Sequence, residues 1–127
     1  MTRIHPPRAI RVAFVDDHLF VRAGLRRFIA SFPDLEYAGE AASAEEAVEM
    51  VRATDIDVLL LDANLPDRSG LEILPQLLAS APRMKVVMVS AMSAAATAPS
   101  ALRDGAWAYL EKPVNPRALI ECIRGAT

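Results

Sequence analysis

Cysteine is almost absent: Cys122 stands alone in 127 residues. A single thiol rules out an internal disulfide and any cysteine cluster for zinc. It falls in a helical pattern beside Leu119 and Ile123, where it reads as a packing residue. Excess positive charge is lacking as well; the formal net charge is -2, so no basic field marks this chain as a nucleic-acid binder. No apolar run approaches the roughly 18 residues of a membrane span, and the opening "MTRIHPPRAIRV" lacks the apolar stretch of a signal peptide. These absences favour a cytoplasmic protein without membrane attachment. Hairpin signals and internal repeats are missing too. What is present is about half hydrophobic and a quarter charged, enough for one domain with one core.

Residues 1–8, with the Pro6-Pro7 pair, read as a flexible arm, and the domain proper as 9–125. "AIRVAFV" is a first strand. Val21, Leu25, Phe28 and Ile29 then recur at helical spacing. "LEYAGEA" is a short second strand. "SAEEAVEMVRA" opens with Ser43 and Glu46 at capping-box spacing and aligns Ala44, Ala47, Val48 and Val51 on one face. "DVLLL" is a third strand, apolar on both faces. "SGLEILPQLLAS" repeats the capping spacing at Ser69 and Glu72, with Pro75 predicting a kink or a short break. "MKVVMVS" and "AWAYL" are the fourth and fifth strands, the latter after Gly105 as a helix stop. Asn115-Pro116 caps a last helix through about Arg124. Apolar strands alternating with amphipathic helices imply a parallel sheet covered on both faces, doubly wound. Ligands in such sheets sit at the carboxyl ends of the strands.

Those ends carry the chemistry. In "VLLLDANLP", four apolar residues give way to Asp62, although a buried carboxylate is costly unless it is paired. The first strand ends in Asp16 and Asp17, the fourth in Ser90, and the fifth runs into Lys112. A lone strand-end aspartate most often caps a helix, Lys112 alone reads as a solvated charge, and Ser90 alone says nothing. Together they converge on one edge of a parallel sheet. Three carboxylates held close need a cation to stay ionised near neutral pH, and hard oxygen ligands with room for water and phosphate suit Mg²⁺. A lysine and a hydroxyl beside the metal suit the remaining oxygens of a phosphoryl group.

The chain resembles the receiver domain of two-component response regulators from about Ile10 to Ile123. Asp16-Asp17, Asp62, Ser90-Ala91, Tyr109 and Lys112-Pro113 carry the match in order and spacing. "VDDHLFVRAGL" with "FPDLEYAGEA" is most similar to the NarL/FixJ subfamily, whose members usually carry a helix-turn-helix DNA-binding domain afterwards. The resemblance implies a flavodoxin-like fold with strand order 2-1-3-4-5 and five helices. It implies that Asp62 takes a phosphoryl group from a sensor histidine kinase or a small phosphodonor. Asp17 would ligate Mg²⁺, Asp16 would orient its water or share the ligation, and Asn64 would offer its backbone carbonyl. Lys112, the Ser90 hydroxyl and the Ala91 N–H would contact the phosphoryl oxygens. Ser90 and Tyr109 would form the switch that alters the face of the fourth helix, fifth strand and fifth helix. Homodimerisation through that face or the last helix is the implied association. The chemistry would be limited to the chain's own phosphorylation and dephosphorylation rather than enzymatic turnover. Of two readings, a stand-alone receiver or the N-terminal part of a DNA-binding regulator, the subfamily resemblance favours the second.

Departures from the pattern shape the remaining expectations. "SAMSAAATAPSAL" has no charge and places Pro99 inside the expected fourth helix, at a cost of roughly 3 kcal/mol. A short fourth helix from Pro99 to Asp104, after a loose segment, is therefore expected. Leu65 replaces the methionine common before the proline of its loop, a volume-conserving change. Alternation puts Trp107 on the same side as Tyr109, as a partner surface. Two rival readings stay open. One is a pseudo-receiver scaffold that is never phosphorylated, although every acidic residue, Ser90 and Lys112 are present. The other is a Mg²⁺-dependent phosphohydrolase, against which Asn64 stands where a second aspartate would be needed.

Overall fold

Each apolar run read as a strand forms one in a computed structural model, which describes residues 8–127. The elements are β1 (Ile10–Val15), α1 (Leu19–Ala30), β2 (Leu35–Ala41), α2 (Ala44–Ala53), β3 (Val58–Asp62), α3 (Gly70–Ser80), β4 (Lys85–Ser90), α4 (Ala94–Arg103), β5 (Ala108–Glu111) and α5 (Pro116–Gly125). All strand pairs are parallel, in the order β2-β1-β3-β4-β5. This is the doubly wound, flavodoxin-like architecture expected from the alternation of strand and helix. The expected arm lies outside the described residues except for Arg8, whose guanidinium donates to Asp55 at 3.2 Å and Asp57 at 2.7 Å.

Alternation along the strands sends side chains to two cores. Val15, Leu59, Leu61 and Met88 pack with Ile73, Leu74 and Leu77 of α3. Phe14, Leu60 and Val87 pack on the other face with Ile29 of α1 and Leu119 and Ile123 of α5. All five residues of β3 are buried, which is why that strand shows no polar phase before its last position. Cys122 is half-buried against the second core, and burial pushes its thiol up. Among the described residues, no helix is long and apolar enough to cross a membrane.

The break expected at Pro75 is absent, and the start expected for the fourth helix needs correction. α3 runs through Pro75 without a break. Ile73, Leu74 and Leu77 are buried on either side of it, and burial of such side chains, about 1.5–3 kcal/mol each, outweighs the roughly 3 kcal/mol that the proline costs. α4 begins at Ala94, not at Pro99, although it does end at Arg103 with Asp104 as its C-cap. Its first N–H, on Ala94, donates to Glu111 Oε1 at 2.8 Å, a cap supplied from the end of β5. Ala94, Ala95 and Ala96 favour helix strongly, and buried Ala101 anchors the last turns. Pro99 and Ala95 are both exposed, so the carbonyl that the proline leaves without a donor faces water.

The side assigned to Trp107 needs correction as well, although the residue is exposed. Trp107 precedes β5, so alternation does not govern it, and its ring reaches Gly125 at the end of α5. Tyr109 packs instead against the core cluster on the other face, the one that includes Met88 and Ala101.

The helix starts follow their capping residues. The Ser43 hydroxyl accepts the Glu46 N–H, and Asn115 accepts those of Arg117 and Ala118 with Pro116 leading the helix. A second cap on α2 comes from the loop after β3: Asp67 accepts the N–H groups of Ala44 and Glu45 at 2.8 and 3.0 Å. Those bonds hold the Asp67 carboxyl below its ordinary 3.8. A depressed carboxyl stabilises the fold above the ordinary value, and that stability is lost as pH falls through the depressed one. Asp67→Ala should therefore lower the melting midpoint at neutral pH. Circular dichroism melts should show the gap to wild type closing as the pH is taken below 3.8.

Candidate functional site

The chain leaves β1 toward β2 on one side and returns as β3 on the other, so β1 and β3 flank the point where strand order reverses. Asp16 follows β1 directly and Asp62 is the last residue of β3, both buried at 4% exposure. Lys112 follows β5 and spans the gap, with Nζ 2.9 Å from Asp62 Oδ2 and 3.4 Å from Asp16 Oδ2. That contact answers the cost of burying Asp62: its partner is an ammonium carried from the edge strand. Asp62 Oδ1 also accepts the Asn64 N–H at 2.9 Å. Asn64 itself is exposed, so its loop is tied to the acceptor carboxylate through the backbone.

Asp17 faces outward beside Asp16, and His18 bridges the two. Its Nδ1 lies 2.8 Å from Asp16 Oδ1 and 3.2 Å from Asp17 Oδ1. Asp16, Asp17, His18 and Asp62 each present one ligand atom within 4.8 Å of the others. The sequence reading missed His18, although its place directly after two site aspartates was a signal.

Electrostatics divide the acids. Burial pushes the Asp16 carboxyl up, but the His18 N–H and ring and the Lys112 charge outweigh it and hold Asp16 below the ordinary range. At Asp62 burial outweighs the Asn64 N–H and Lys112, and the carboxyl sits above the ordinary range. Burial acts to lower the Lys112 ammonium, yet the bond to Asp62 and the charges of Asp62 and Asp16 raise it, so it stays charged. His18 is raised by its bond to Asp16 and the nearby charges of Asp17 and Asp16. Two buried carboxylates and an outer one, all hard oxygen donors, fit Mg²⁺.

Ser90 and Tyr109, the residues expected to form a switch, are linked through one neighbour. Ser90, the last residue of β4, is fully buried, and its hydroxyl accepts the Met92 N–H at 3.0 Å. The Tyr109 hydroxyl donates to the Met92 carbonyl at 2.9 Å. Both therefore grip the backbone of Met92, a residue no sequence pattern marked. Ala91, between Ser90 and Met92, is exposed.

Two further features border the site. A mostly apolar cleft of about 640 Å³ lies between α1 and α5, lined by Val21, Leu25 and Phe28 on one side and Pro116 and Leu119 on the other, and it reaches Asp62 and Lys112. At the start of α1, Leu19, Phe20 and Val21 are 62, 88 and 40% exposed. Of the four residues at helical spacing on α1, Val21, Leu25, Phe28 and Ile29, it is Ile29 that is fully buried.

Residues 12–124 match the response regulator receiver domain family. The response regulator UvrY of Escherichia coli O6:H1 is 34% identical over 115 residues, 91% of this chain and 53% of that protein. The nitrate/nitrite response regulator protein NarL of E. coli K12 is 32% identical over the same shares. The chain thus spans about half the length of these curated relatives. The crystal structure of the response regulator domain of Thermotoga maritima CheB superposes with a TM-score of 0.86 at 35% identity, covering 94% of this chain and 96% of that one. With its five parallel strands in the same family order and NarL among its relatives, the chain belongs to the response regulator receiver domains, in the NarL/FixJ subfamily.

Proposed function

We propose that this receiver takes its phosphoryl group on Asp62. The observation that carries the assignment is the buried Asp62 carboxylate at the switch point, 2.9 Å from Lys112 and beside Asp16 and Asp17. A carboxylate oxygen of Asp62 attacks phosphorus, an O–P bond forms, and the P–N bond of a phosphohistidine breaks with its electron pair going to the imidazole. Mg²⁺ held by Asp16, Asp17, Asp62 and the Asn64 carbonyl would neutralise charge on the phosphoryl oxygens. Lys112 supplies a second cation there, and the Ser90 hydroxyl and Ala91 N–H supply donors. When the Ser90 hydroxyl turns to a phosphoryl oxygen as donor, it ceases to hold the Met92 N–H. Tyr109, on the other side of Met92, follows. The conformation of α4, β5 and α5 changes with them.

The test is intact-protein mass spectrometry after incubation with Mg²⁺ and acetyl phosphate, then with a phosphorylated histidine kinase. A gain of one phosphoryl group that EDTA prevents is the expected result. No gain from either donor would return the chain to the scaffold reading, and sustained turnover of a phosphate ester would make it a phosphohydrolase.

The kinase has to bring its histidine to Asp62, and the exposed run Leu19-Phe20-Val21 borders that approach. Phe20→Ala should slow transfer from the kinase about tenfold or more, as loss of an interface anchor does. The rate with acetyl phosphate should stay unchanged, because Phe20 touches none of the reacting groups. The half-length match to NarL and UvrY supports reading the domain as the N-terminal part of a DNA-binding regulator. Exposed Leu102 on α4 and Trp107 before β5 make the switching face the candidate surface for a homodimer.

A further inference from the structure

We infer that Arg22, held by Glu40, is a positioning residue that fixes Asp17 for the divalent cation; the inference rests on the metal reading proposed above. Asp16 is clamped through its backbone from two directions. Its N–H donates to the Ala41 carbonyl of β2 at 3.0 Å. Its carbonyl accepts Arg22 Nη1 of α1 at 2.8 Å. That carbonyl belongs to the planar peptide unit joining Asp16 to Asp17, so holding it fixes where the Asp17 Cα points. Asp17 needs this support. Its half-exposed carboxylate meets His18 Nδ1 at 3.2 Å, its one ion-pair contact among the described residues.

Arg22 is in turn fixed by Glu40. The guanidinium Nε donates to Glu40 Oε2 at 2.9 Å, and the two side chains are only 16 and 21% exposed. Glu40 Oε1 accepts the Tyr37 hydroxyl at 2.8 Å, which anchors the carboxylate whether or not Arg26 Nε, at 2.7 Å, is present. The path runs from Glu40 on β2, through Arg22 on α1, to the Asp16–Asp17 peptide. Groups that orient metal ligands from behind typically change metal affinity by about 10–100-fold when removed.

Arg26 provides the control. It carries the same charge and meets the other oxygen of the same Glu40 carboxylate, but it makes no bond to the Asp16 carbonyl. A purely electrostatic role would also have the opposite sign: removing a cation beside an acidic site should tighten Mg²⁺ binding. Positioning requires that Arg22→Met weaken it.

The experiment is calorimetric titration of Mg²⁺ into wild type, Arg22→Met, Arg22→Lys and Arg26→Met, with circular dichroism on each. Arg22→Met is expected to weaken Mg²⁺ about tenfold or more. Arg22→Lys, which cannot fork to both the carbonyl and Glu40, should fall between it and wild type. Arg26→Met should stay within about twofold of wild type, since its exposed charge is screened. Unchanged or tighter binding in Arg22→Met, or equal weakening in Arg26→Met, would overturn the inference. If Arg22→Met does not fold, Arg22→Lys decides, and wild-type affinity there counts against positioning. A wild type that takes up no Mg²⁺ would remove the metal reading itself, and this role with it.

Discussion

Asp62→Asn is expected to stay folded, to melt no lower than wild type at neutral pH, and to gain no phosphoryl group. The amide is a poor nucleophile because its lone pair is delocalised, and no neighbouring base could remedy that. Its oxygen can still accept the Asn64 N–H, which now reaches Asp62 Oδ1 at 2.9 Å, so the loop after β3 keeps its anchor. Lys112 keeps Asp16 as a partner. Stability follows from the direction of the Asp62 shift. A carboxyl raised on folding makes the native state bind more protons, so stability falls as pH rises from its ordinary value through the raised one. The asparagine variant lacks that loss, and its advantage should appear above the ordinary carboxylate range and vanish in acid. Melting curves across pH check the stability, and intact mass after acetyl phosphate checks the chemistry. Phosphoryl gain by the variant would place the acceptor elsewhere.

Gly70→Ala is expected to damage both fold and site, although glycine-to-alanine at the start of a helix is ordinarily mild. A Cβ at Gly70 would lie 2.2 Å from the Asp62 carbonyl oxygen and 3.1 Å from Ala63 Cα, both main-chain atoms. Neither can swing aside as a side chain would. The Gly70 N–H also donates to the Ala63 carbonyl at 2.8 Å, fastening α3 to the end of β3. Relief requires moving α3 or Asp62, the proposed phosphoryl acceptor. Overpacking of this kind costs about 1–3 kcal/mol, and displacing a reacting group by an ångström costs about a hundredfold in rate. A lower melting midpoint and much slower phosphorylation by acetyl phosphate are the expected results. Gly24 on α1 makes the contrast, since a Cβ there would meet nothing within 4 Å. Gly24→Ala should be neutral or stabilising by about 0.5–1 kcal/mol through helix propensity. Equal behaviour of the two variants would mean that the close approach at Gly70 carries no weight.

The acidic site was legible because parallel topology brings strand ends to one edge whatever the details of packing. Asp16, Asp17, Asp62, Ser90 and Lys112 needed only five correctly read strands and a common direction. Contacts between segments distant in sequence were not legible. Glu111 caps α4 from 17 residues away, which is why a local rule about Pro99 misplaced that helix. Asp67 caps α2 from 23 residues away, and nothing near it in sequence says so. Gly70 looked like an ordinary helix start until its distance to Asp62 was known. The side given to Trp107 failed for another reason: period-2 alternation was extended one residue beyond the strand that obeys it.

Glu111 immediately precedes Lys112, and it holds the first turn of α4. A helix that borrows its cap from a neighbouring strand, and that contains a proline, is not an autonomous cooperative unit. Its amide protons should exchange with solvent through a local opening well below the global unfolding free energy, ahead of those in β1 and β3. The frequency of that opening is set at the end of β5, one peptide bond from the lysine that lies 2.9 Å from Asp62. Occupancy of the phosphoryl site would then be written into the lifetime of α4 as much as into its position.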